Sequence, residues 1–213
     1  MVENLGTLVG VNILLVIAGD GDEVRELRRI MNGSSLEEDV RRKLFEYFMG
    51  CVGEKGMGYV EYFIGKMCMS GFGTEKNSVE ELKWFRLSAE KGNSFGQYAL
   101  GEIYFLGSSE LERNYDEAVR LFRLSAGQKN CLGYNALGRM CVDGVGVGRD
   151  YSEALKWFGF SVLNGDSAGE LSLARMCEEG LGMAEKDHLR AIELYRSAGM
   201  KGNDEALRIL RIF

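Results

Sequence analysis

One period of 36 to 37 residues runs through most of this 213-residue chain and constrains its fold more than any other feature. Small residues mark the period inside apolar segments: Gly65, Gly101, Gly138 and Ala174. A glycine after each segment keeps the same spacing: Gly71, Gly107, Gly144 and Gly180. Pairs of large apolar residues follow, in the order Trp84-Phe85, Leu121-Phe122, Trp157-Phe158 and Leu194-Tyr195. Because several independent columns share one period, we predict a repeat architecture in which neighbouring units stack.

Each unit is predicted to contain two helices, because apolar residues recur at the three- and four-residue spacing of an amphipathic helix. An Asn or Asp stands where each second helix should start: Asn77, Asn114, Asp150 and Asp187. A glutamate follows three residues later in the first three units: Glu80, Glu117 and Glu153. We expect the Asx oxygen and this carboxylate to accept hydrogen bonds from free N–H groups at the helix start. Arg190 replaces the glutamate in the fourth unit, which predicts a weaker cap there.

The second helices should end near Gly92, Gly165 and Gly202, because glycine tolerates the left-handed conformation of a helix stop. Lys129 occupies this column in the second unit, and the sequence offers no reason for it.

Degraded copies of the pattern extend beyond the four best units. Residues 36–52 read as an earlier second helix, and residues 22–31 read as a degraded first helix with Leu27 in its apolar column. We therefore predict one continuous domain. Residues 1–57 form degenerate capping units, residues 58–203 form four repeats, and residues 204–213 form a capping half-repeat. The predicted fold class is all-α, a solenoid of about five to six antiparallel helical hairpins with about twelve helices.

Charge and cysteine usage narrow the class of partner and the compartment. The chain carries 26 Lys and Arg against 32 Asp and Glu, a net charge of −6, which argues against nucleic-acid binding. Five widely spaced cysteines without a CxxC pair favour a reducing, cytoplasmic setting. Residues 5–18 are apolar, but an acidic start and a length below the ~20 residues of a membrane span favour a buried helix. If that helix were exposed, it would be a place for two chains to associate.

The best-kept unit, residues 134–158, reads YNALGRMCVDGVGVGRDYSEALKWF. It resembles the Sel-1-like repeat, a relative of the tetratricopeptide repeat, in its Leu-Gly step, Gly-x-Gly-Val loop, Asp cap and Ala-x-x-Trp core. The resemblance covers residues 58–213 and implies a right-handed superhelix that acts as an adaptor for protein complexes, often near membranes. Similar proteins include subunits of the endoplasmic-reticulum degradation ligase and activators of chitin synthase. A few secreted, disulfide-rich members were described as binding or hydrolysing β-lactams.

Two motifs resemble catalytic ones but lack the required context. Ser94 and Ser167 each lie in a G-x-S-x-G sequence, which forms a nucleophile elbow only between a strand and a helix. Both serines are predicted in turns between helices, with their glycines explained by helix ends and close helix packing. The single histidine, His188, stands beside a helix cap. We therefore predict a protein that is not an enzyme, with the hydrolase or β-lactam-binding function kept as an alternative.

No cofactor or metal site is predicted. The glycine-rich loops at residues 71–73, 144–148 and 180–182 lack the Lys-Ser/Thr of a phosphate-binding loop. Cys68, Cys141 and Cys177 share one repeat column, so they are spread along the array instead of converging on a metal. We expect them to be small core residues.

By analogy with tetratricopeptide arrays, the first helix of each unit should line a concave groove. The predicted groove residues of the first two units are Tyr59, Tyr62, Lys66, Met69, Phe95, Tyr98, Glu102 and Phe105. Those of the last two units are Leu132, Asn135, Arg139, Val142, Leu171, Arg175 and Glu178. The aromatic residues suit the apolar side chains of a bound peptide or helix, and the arginines suit a carboxylate. The opposing interpretation is that some of these side chains pack between helices.

The sequence thus predicts a non-catalytic scaffold or adaptor that binds a protein or peptide in its groove, without a small-molecule substrate. An alternative is an activating or quality-control subunit of a membrane-associated complex, as in endoplasmic-reticulum degradation or chitin synthase regulation.

Overall fold

A computed structural model describes residues 16, 21–33, 36–53, 58–183 and 185–211. All regular structure within these residues is α-helical, as predicted. The eleven described helices are α1 (Gly21–Gly33), α2 (Glu38–Gly50), α3 (Tyr59–Ser70), α4 (Ser78–Glu90), α5 (Ser94–Leu106), α6 (Tyr115–Gly127), α7 (Cys131–Asp143), α8 (Tyr151–Leu163), α9 (Ser167–Glu179), α10 (His188–Met200) and α11 (Asp204–Leu210). The helices predicted at residues 22–31 and 36–52 are confirmed as α1 and α2. The apolar segment at residues 5–18 lies, apart from Val16, outside the described residues.

The helices fall into two compact units, an N-terminal unit up to Asn114 and a C-terminal unit from Tyr115. In the N-terminal unit α2 packs on α3, α3 on α4 and α4 on α5. In the C-terminal unit each helix from α6 to α11 packs on the next. First helices of neighbouring repeats also touch, α3 with α5 and α7 with α9. Each unit is therefore a stack of helical hairpins, which is how a repeat with one apolar face per helix buries it.

Asx residues cap the second helices, but the predicted glutamates do not take part. Asn77 accepts hydrogen bonds from the N–H groups of Val79 and Glu80, both at 3.1 Å. Its own N–H donates to the carbonyl of Cys68 at 3.1 Å, so the bond expected from Glu80 is not made. Glu80 accepts instead from Lys83 at 3.1 Å. The capping-box part of the prediction is wrong here, because the glycine turn already brings a carbonyl of the preceding helix to the cap.

The same arrangement recurs in the third and fourth repeats. The N–H groups of Asp150 and Asp187 donate at 2.9 Å to the carbonyls of Cys141 and Cys177. Their carboxylates accept at 2.9 Å from the N–H groups three residues on, those of Glu153 and Arg190. Because the glutamate is not part of the cap, its replacement by Arg190 does not weaken the cap of the fourth repeat.

A second set of caps was missed in the sequence. Side-chain oxygens of four residues accept N–H hydrogen bonds at the start of the first helices: Asn93, Asn130, Asp166 and Asn203. Each directly follows a residue of positive φ, in the order Gly92, Lys129, Gly165 and Gly202. The sequence contains a signal for these caps, because an Asn or Asp directly follows the predicted end of each second helix. Lys129 has a φ of 63°, so it adopts the same left-handed turn as the glycines of its column.

The small residues inside the first helices make room for the aromatic residues of the second. A Cβ atom on Gly65 would lie 2.7 Å from the ring of Phe85, and one on Gly138 would lie 2.5 Å from Phe158. Cys68, Cys141 and Cys177 are buried thiols, which confirms their predicted place in the core. Burial raises the pKa of each of these thiols.

Candidate functional site

Three of the predicted aromatic residues come together in the N-terminal unit. The ring of Phe95 on α5 lies 5.4 Å from that of Tyr62 and 6.1 Å from that of Tyr59, both on α3. Asn93 orients this end of α5 by accepting the N–H groups of Phe95 and Gly96, each at 3.0 Å. We call Tyr59, Tyr62 and Phe95 the aromatic cluster.

The members of the aromatic cluster differ in exposure. Tyr59 and Phe95 are half-buried, whereas Tyr62 has only 3% of its surface exposed and packs against Phe63 and Phe85 as well. Burial raises the pKa of both tyrosine hydroxyls. The expectation that Tyr62 lies open to a partner is therefore corrected, because its ring lies between α3, α4 and α5 and forms the floor of the cluster.

The sequence did not reveal that a residue of α1 covers this cluster. The guanidinium carbon of Arg28 lies 4.8 Å from the centre of the Phe95 ring, a cation–π distance. The positive charge of Arg28 also acts on the hydroxyl of Tyr62, where it partly offsets the rise of that pKa. In the sequence Arg28 is one charged residue among several on a degraded first helix, and nothing in that pattern sets it apart.

The remaining predicted groove residues of α3 and α5 lie in the same N-terminal unit and differ in exposure. Lys66, Tyr98, Glu102 and Phe105 are half-buried, and Met69 is exposed. Burial lowers the pKa of Lys66, and the positive charge of Arg28 lowers it further, while Glu81 acts in the opposite direction. Burial likewise raises the pKa of Glu81 against the influence of Lys66. This part of the surface therefore combines half-buried rings with a partly desolvated pair of opposite charges.

In the C-terminal unit the predicted residues are already tied to neighbours. Arg175 is exposed and pairs with Glu205 of α11 at 2.5 Å. Glu178 accepts a hydrogen bond from the hydroxyl of Tyr195 at 2.7 Å. Asn135 is buried and donates to the carboxylate of Asp166 at 2.6 Å, so it holds α7 to the α9 cap and offers little surface. Arg139 is exposed, Leu132 and Val142 are half-buried, and Leu171 is buried.

The structure explains the two G-x-S-x-G sequences without catalysis. Ser94 and Ser167 are the first residues of α5 and α9, directly after the caps Asn93 and Asp166. A Cβ atom on Gly96 would lie 2.2 Å from the hydroxyl of Ser88 in the preceding helix. The last glycine of the motif thus permits close helix contact, and the sequence-based explanation is confirmed.

His188 is the exposed first residue of α10. In the part of the chain that the structure describes, no group of three His, Cys, Asp or Glu side chains is arranged to hold a metal. The described helices are at most 13 residues long, and none of them could cross a bilayer, which takes about 20 apolar residues.

Comparison with known proteins gives the same architecture. The Sel1 repeat profile matches residues 58–93, 94–130, 132–166 and 167–203, more than half of the chain. A Sel1 repeat protein from Oxalobacter formigenes is similar in structure, with a TM-score of 0.65 and 27% identity over 76% of this chain and 64% of that one. A protective antigen of uropathogenic Escherichia coli with the SLR fold is similar with a TM-score of 0.62 and 28% identity, over 86% and 42%. The chain thus spans less than two thirds of either protein. A comparison with curated proteins gives no match.

Proposed function

The chain belongs to the Sel1 repeat family, and from this premise we propose that it is a non-catalytic scaffold that binds a protein through the first helices of its repeats. Proteins of this family generally serve as scaffolds for protein–protein interaction. The observation that carries the proposal is the aromatic cluster, in which α3 and α5 place the rings of Tyr59 and Phe95 at the surface of the N-terminal unit.

The chemistry of this surface suits a peptide or helix of mixed character. Half-buried Tyr and Phe rings offer large contact areas at a small loss of side-chain entropy, as binding hot spots do. Tyr98 and Phe105 continue the half-buried aromatic surface along α5. Tyr62 contributes by packing against Phe95, with 5.4 Å between the ring centres. A partner helix with apolar residues at three- and four-residue spacing would match such a surface.

The C-terminal unit supplies a second type of contact in the proposal. Arg139 and Arg175 are both exposed and lie one repeat apart on α7 and α9. An arginine binds a carboxylate through two parallel N–H donors, and in the proposal a carboxylate of the partner takes the place of Glu205 on Arg175. Glu178 is held by Tyr195 and Asn135 by Asp166, so in the proposal these two residues orient the surface.

The experiment that tests the proposal is affinity capture with the full chain and matched variants, followed by identification of bound proteins. Tyr59→Ala/Tyr98→Ala changes two half-buried rings, and Leu163→Ala changes an 82% exposed residue of α8 as the control. We expect the double variant to lose specific partners at least about tenfold while the control keeps them, because a hot-spot ring contributes over 1 kcal/mol. Circular dichroism checks that both variants are folded. Unchanged capture by the double variant would remove these rings from the proposal.

The hydrolase alternative is tested separately. Ser94 and Ser167, the serines of the two G-x-S-x-G sequences, are the first residues of their helices, and the proposal assigns no reaction to them. Turnover of a chromogenic ester or β-lactam that is present in the wild type and lost in Ser94→Ala or Ser167→Ala would overturn the non-catalytic proposal.

A further inference from the structure

The Arg28 side chain of helix α1 lies against the aromatic cluster of the N-terminal unit. The Arg28 guanidinium carbon lies 4.8 Å from the centre of the Phe95 ring on α5. The positive charge of the same guanidinium also lowers the pKa of the Tyr62 hydroxyl on α3, against the effect of burial. The Phe95 ring lies 5.4 Å from that of Tyr62, so Arg28 covers the ring through which α5 contacts the buried tyrosine of α3.

The burial pattern of α1 is that of a docked amphipathic helix. Its buried residues are Val24, Leu27 and Met31, at the spacing of one helix face, and Arg28 borders the same face. Arg25 and Arg29 are exposed and form ion pairs within the helix, with Asp22 and Glu26. Of these three arginines, Arg28 is the one whose charge is placed on the aromatic rings.

The packing of α1 differs from that of a first helix in a repeat. First helices pack along the second helix of their own repeat, as α3 does on α4 and α9 on α10. Within the described residues α1 has no such extended packing with α2, the helix that follows it, nor with α3 or α5, and its contact with the aromatic cluster is made through the long Arg28 side chain. It is therefore not held by the hairpin contact that α3, α7 and α9 make.

From these contacts we propose that α1 is an internal ligand of the aromatic cluster, and that a partner protein binds by displacing it with a helix that places its own arginine on Phe95 and Tyr62. This inference rests on the proposed scaffold function and specifies the chemistry of its partner. A cation over an aromatic face gains attraction when water is excluded. The net charge of −6 also favours association with a positively charged segment. An attached helix competes at a high effective concentration, so it lowers the apparent affinity of any partner in proportion to its occupancy.

The test uses the full chain and one defined probe, a fluorescent synthetic peptide with the sequence of residues 21–33. Binding is followed by fluorescence anisotropy for wild type, Arg28→Ala and the matched control Arg25→Ala. Both variants remove one arginine from α1: Arg28 contacts the Phe95 ring, whereas Arg25 pairs with Asp22 of its own helix. We expect Arg28→Ala to bind the peptide about tenfold more tightly than wild type, because its own helix is released more often. Arg25→Ala should bind like wild type.

Two further measurements make the result specific to the cluster. A peptide carrying Arg28→Ala should bind the Arg28→Ala protein about tenfold more weakly than the unchanged peptide, since it lacks the cation. Hydrogen exchange of residues 21–33 should become faster in Arg28→Ala and stay unchanged in Arg25→Ala. In the protein, Arg28→Lys keeps the positive charge, so its peptide affinity and its exchange rate should lie between those of wild type and Arg28→Ala. A graded effect of this kind would not be expected if Arg28→Ala simply failed to fold.

The outcomes separate this inference from the scaffold proposal. If Arg28→Ala binds the peptide no better than Arg25→Ala and its exchange is unchanged, α1 is not an internal ligand and the inference is overturned. Loss of captured partners in Tyr59→Ala/Tyr98→Ala would in that case still support the scaffold. If α1 is released but the peptide binds equally well when Phe95→Leu is added, the arginine-on-aromatic partner is overturned, because the cluster is then not where the peptide binds.

Discussion

The carboxylate of Glu61, with 1% of the residue exposed, accepts a hydrogen bond at 2.5 Å from the ammonium group of Lys91. Glu61 lies in the first turn of α3 and Lys91 directly follows α4, so the pair joins the two helices of one repeat. The fourth repeat has the equivalent pair, in which Lys201 donates to Glu170 at 2.9 Å. The two glutamates lie in the first turn of a helix and the two lysines directly follow a helix, and the helix dipole favours a negative charge at the first position and a positive charge at the second. Lys91 is one third exposed, which leaves the lysine partly solvated.

Lys91→Ala should therefore lower the free energy of unfolding by about 2 kcal/mol, because it leaves the buried carboxylate of Glu61 without its cation. Lys201→Ala should cost less, about 1 kcal/mol, since Ser197 still donates to Glu170 at 2.8 Å. Urea denaturation followed by circular dichroism measures both. In the second repeat Gln97 and Gln128 occupy these two columns, so Glu61→Gln/Lys91→Gln should recover most of the loss. Equal losses in the two single variants would contradict this account.

Lys129→Gly should raise the free energy of unfolding by about 1 kcal/mol. Lys129 has a φ of 63°, where a side chain is strained and glycine is not. The reverse change, Gly165→Lys, is the matched control in the equivalent turn of the third repeat, with a φ of 80°. A Cβ atom there meets nothing within 4 Å, so only backbone strain is added and a loss of about 1 kcal/mol is expected. Chemical denaturation of both variants gives the sign of each change in the free energy of unfolding. A destabilised Lys129→Gly protein would show that contacts of the lysine side chain contribute more than the relief of backbone strain.

Gly138→Ala and Gly159→Ala should have opposite effects although both glycines lie inside helices of the C-terminal unit. A Cβ atom on Gly138 would lie 2.5 Å from the ring of Phe158, and overpacking of this kind costs about 1–3 kcal/mol. A Cβ atom on Gly159 meets nothing within 4 Å, so the higher helix propensity of alanine should stabilise by about 0.5–1 kcal/mol. Thermal melting of the two variants gives the comparison. A shift of the same sign in both would mean that the ring of Phe158 moves aside.

Alkaline pH should destabilise the C-terminal unit through Tyr195. Burial, and then the hydrogen bond to Glu178, raise the pKa of this hydroxyl above its ordinary value of about 10. A raised folded-state pKa means that the neutral form is favoured by folding. Its contribution is therefore complete below the unfolded-state pKa and is lost as the pH rises towards the folded-state pKa.

The urea midpoint of the wild type should consequently fall more steeply above about pH 10 than that of Tyr195→Phe, which has no hydroxyl to ionise. At neutral pH the variant should be less stable by about 1 kcal/mol, because the bond to Glu178 is lost. If the urea midpoints of the two proteins fell in parallel as the pH rises, the loss of stability at alkaline pH would come from groups other than Tyr195.

Much of the fold followed from local rules that repeat along the chain. The period of Gly65, Gly138 and Ala174 placed the helix pairs, since a small residue is needed where Phe85, Phe158 or Tyr195 packs. The caps at Asn77 and Asp150 followed from side-chain chemistry at a helix start. The role of Glu80 did not, because the carbonyl of Cys68 reaches the same N–H group first, and that competition depends on the turn geometry.

The candidate site was predicted only in part. The sequence determined which residues lie on the first helices, because helix period and repeat spacing are properties of the chain itself. Only the tertiary structure decided that Tyr62 is buried while Phe95 is half-buried, and that Arg28 lies over the Phe95 ring. Exposure and long-range contacts depend on where a helix outside the regular repeats docks. Its position is set by the sum of many weak contacts with other helices, and no local pattern in the sequence of α1 encodes that sum.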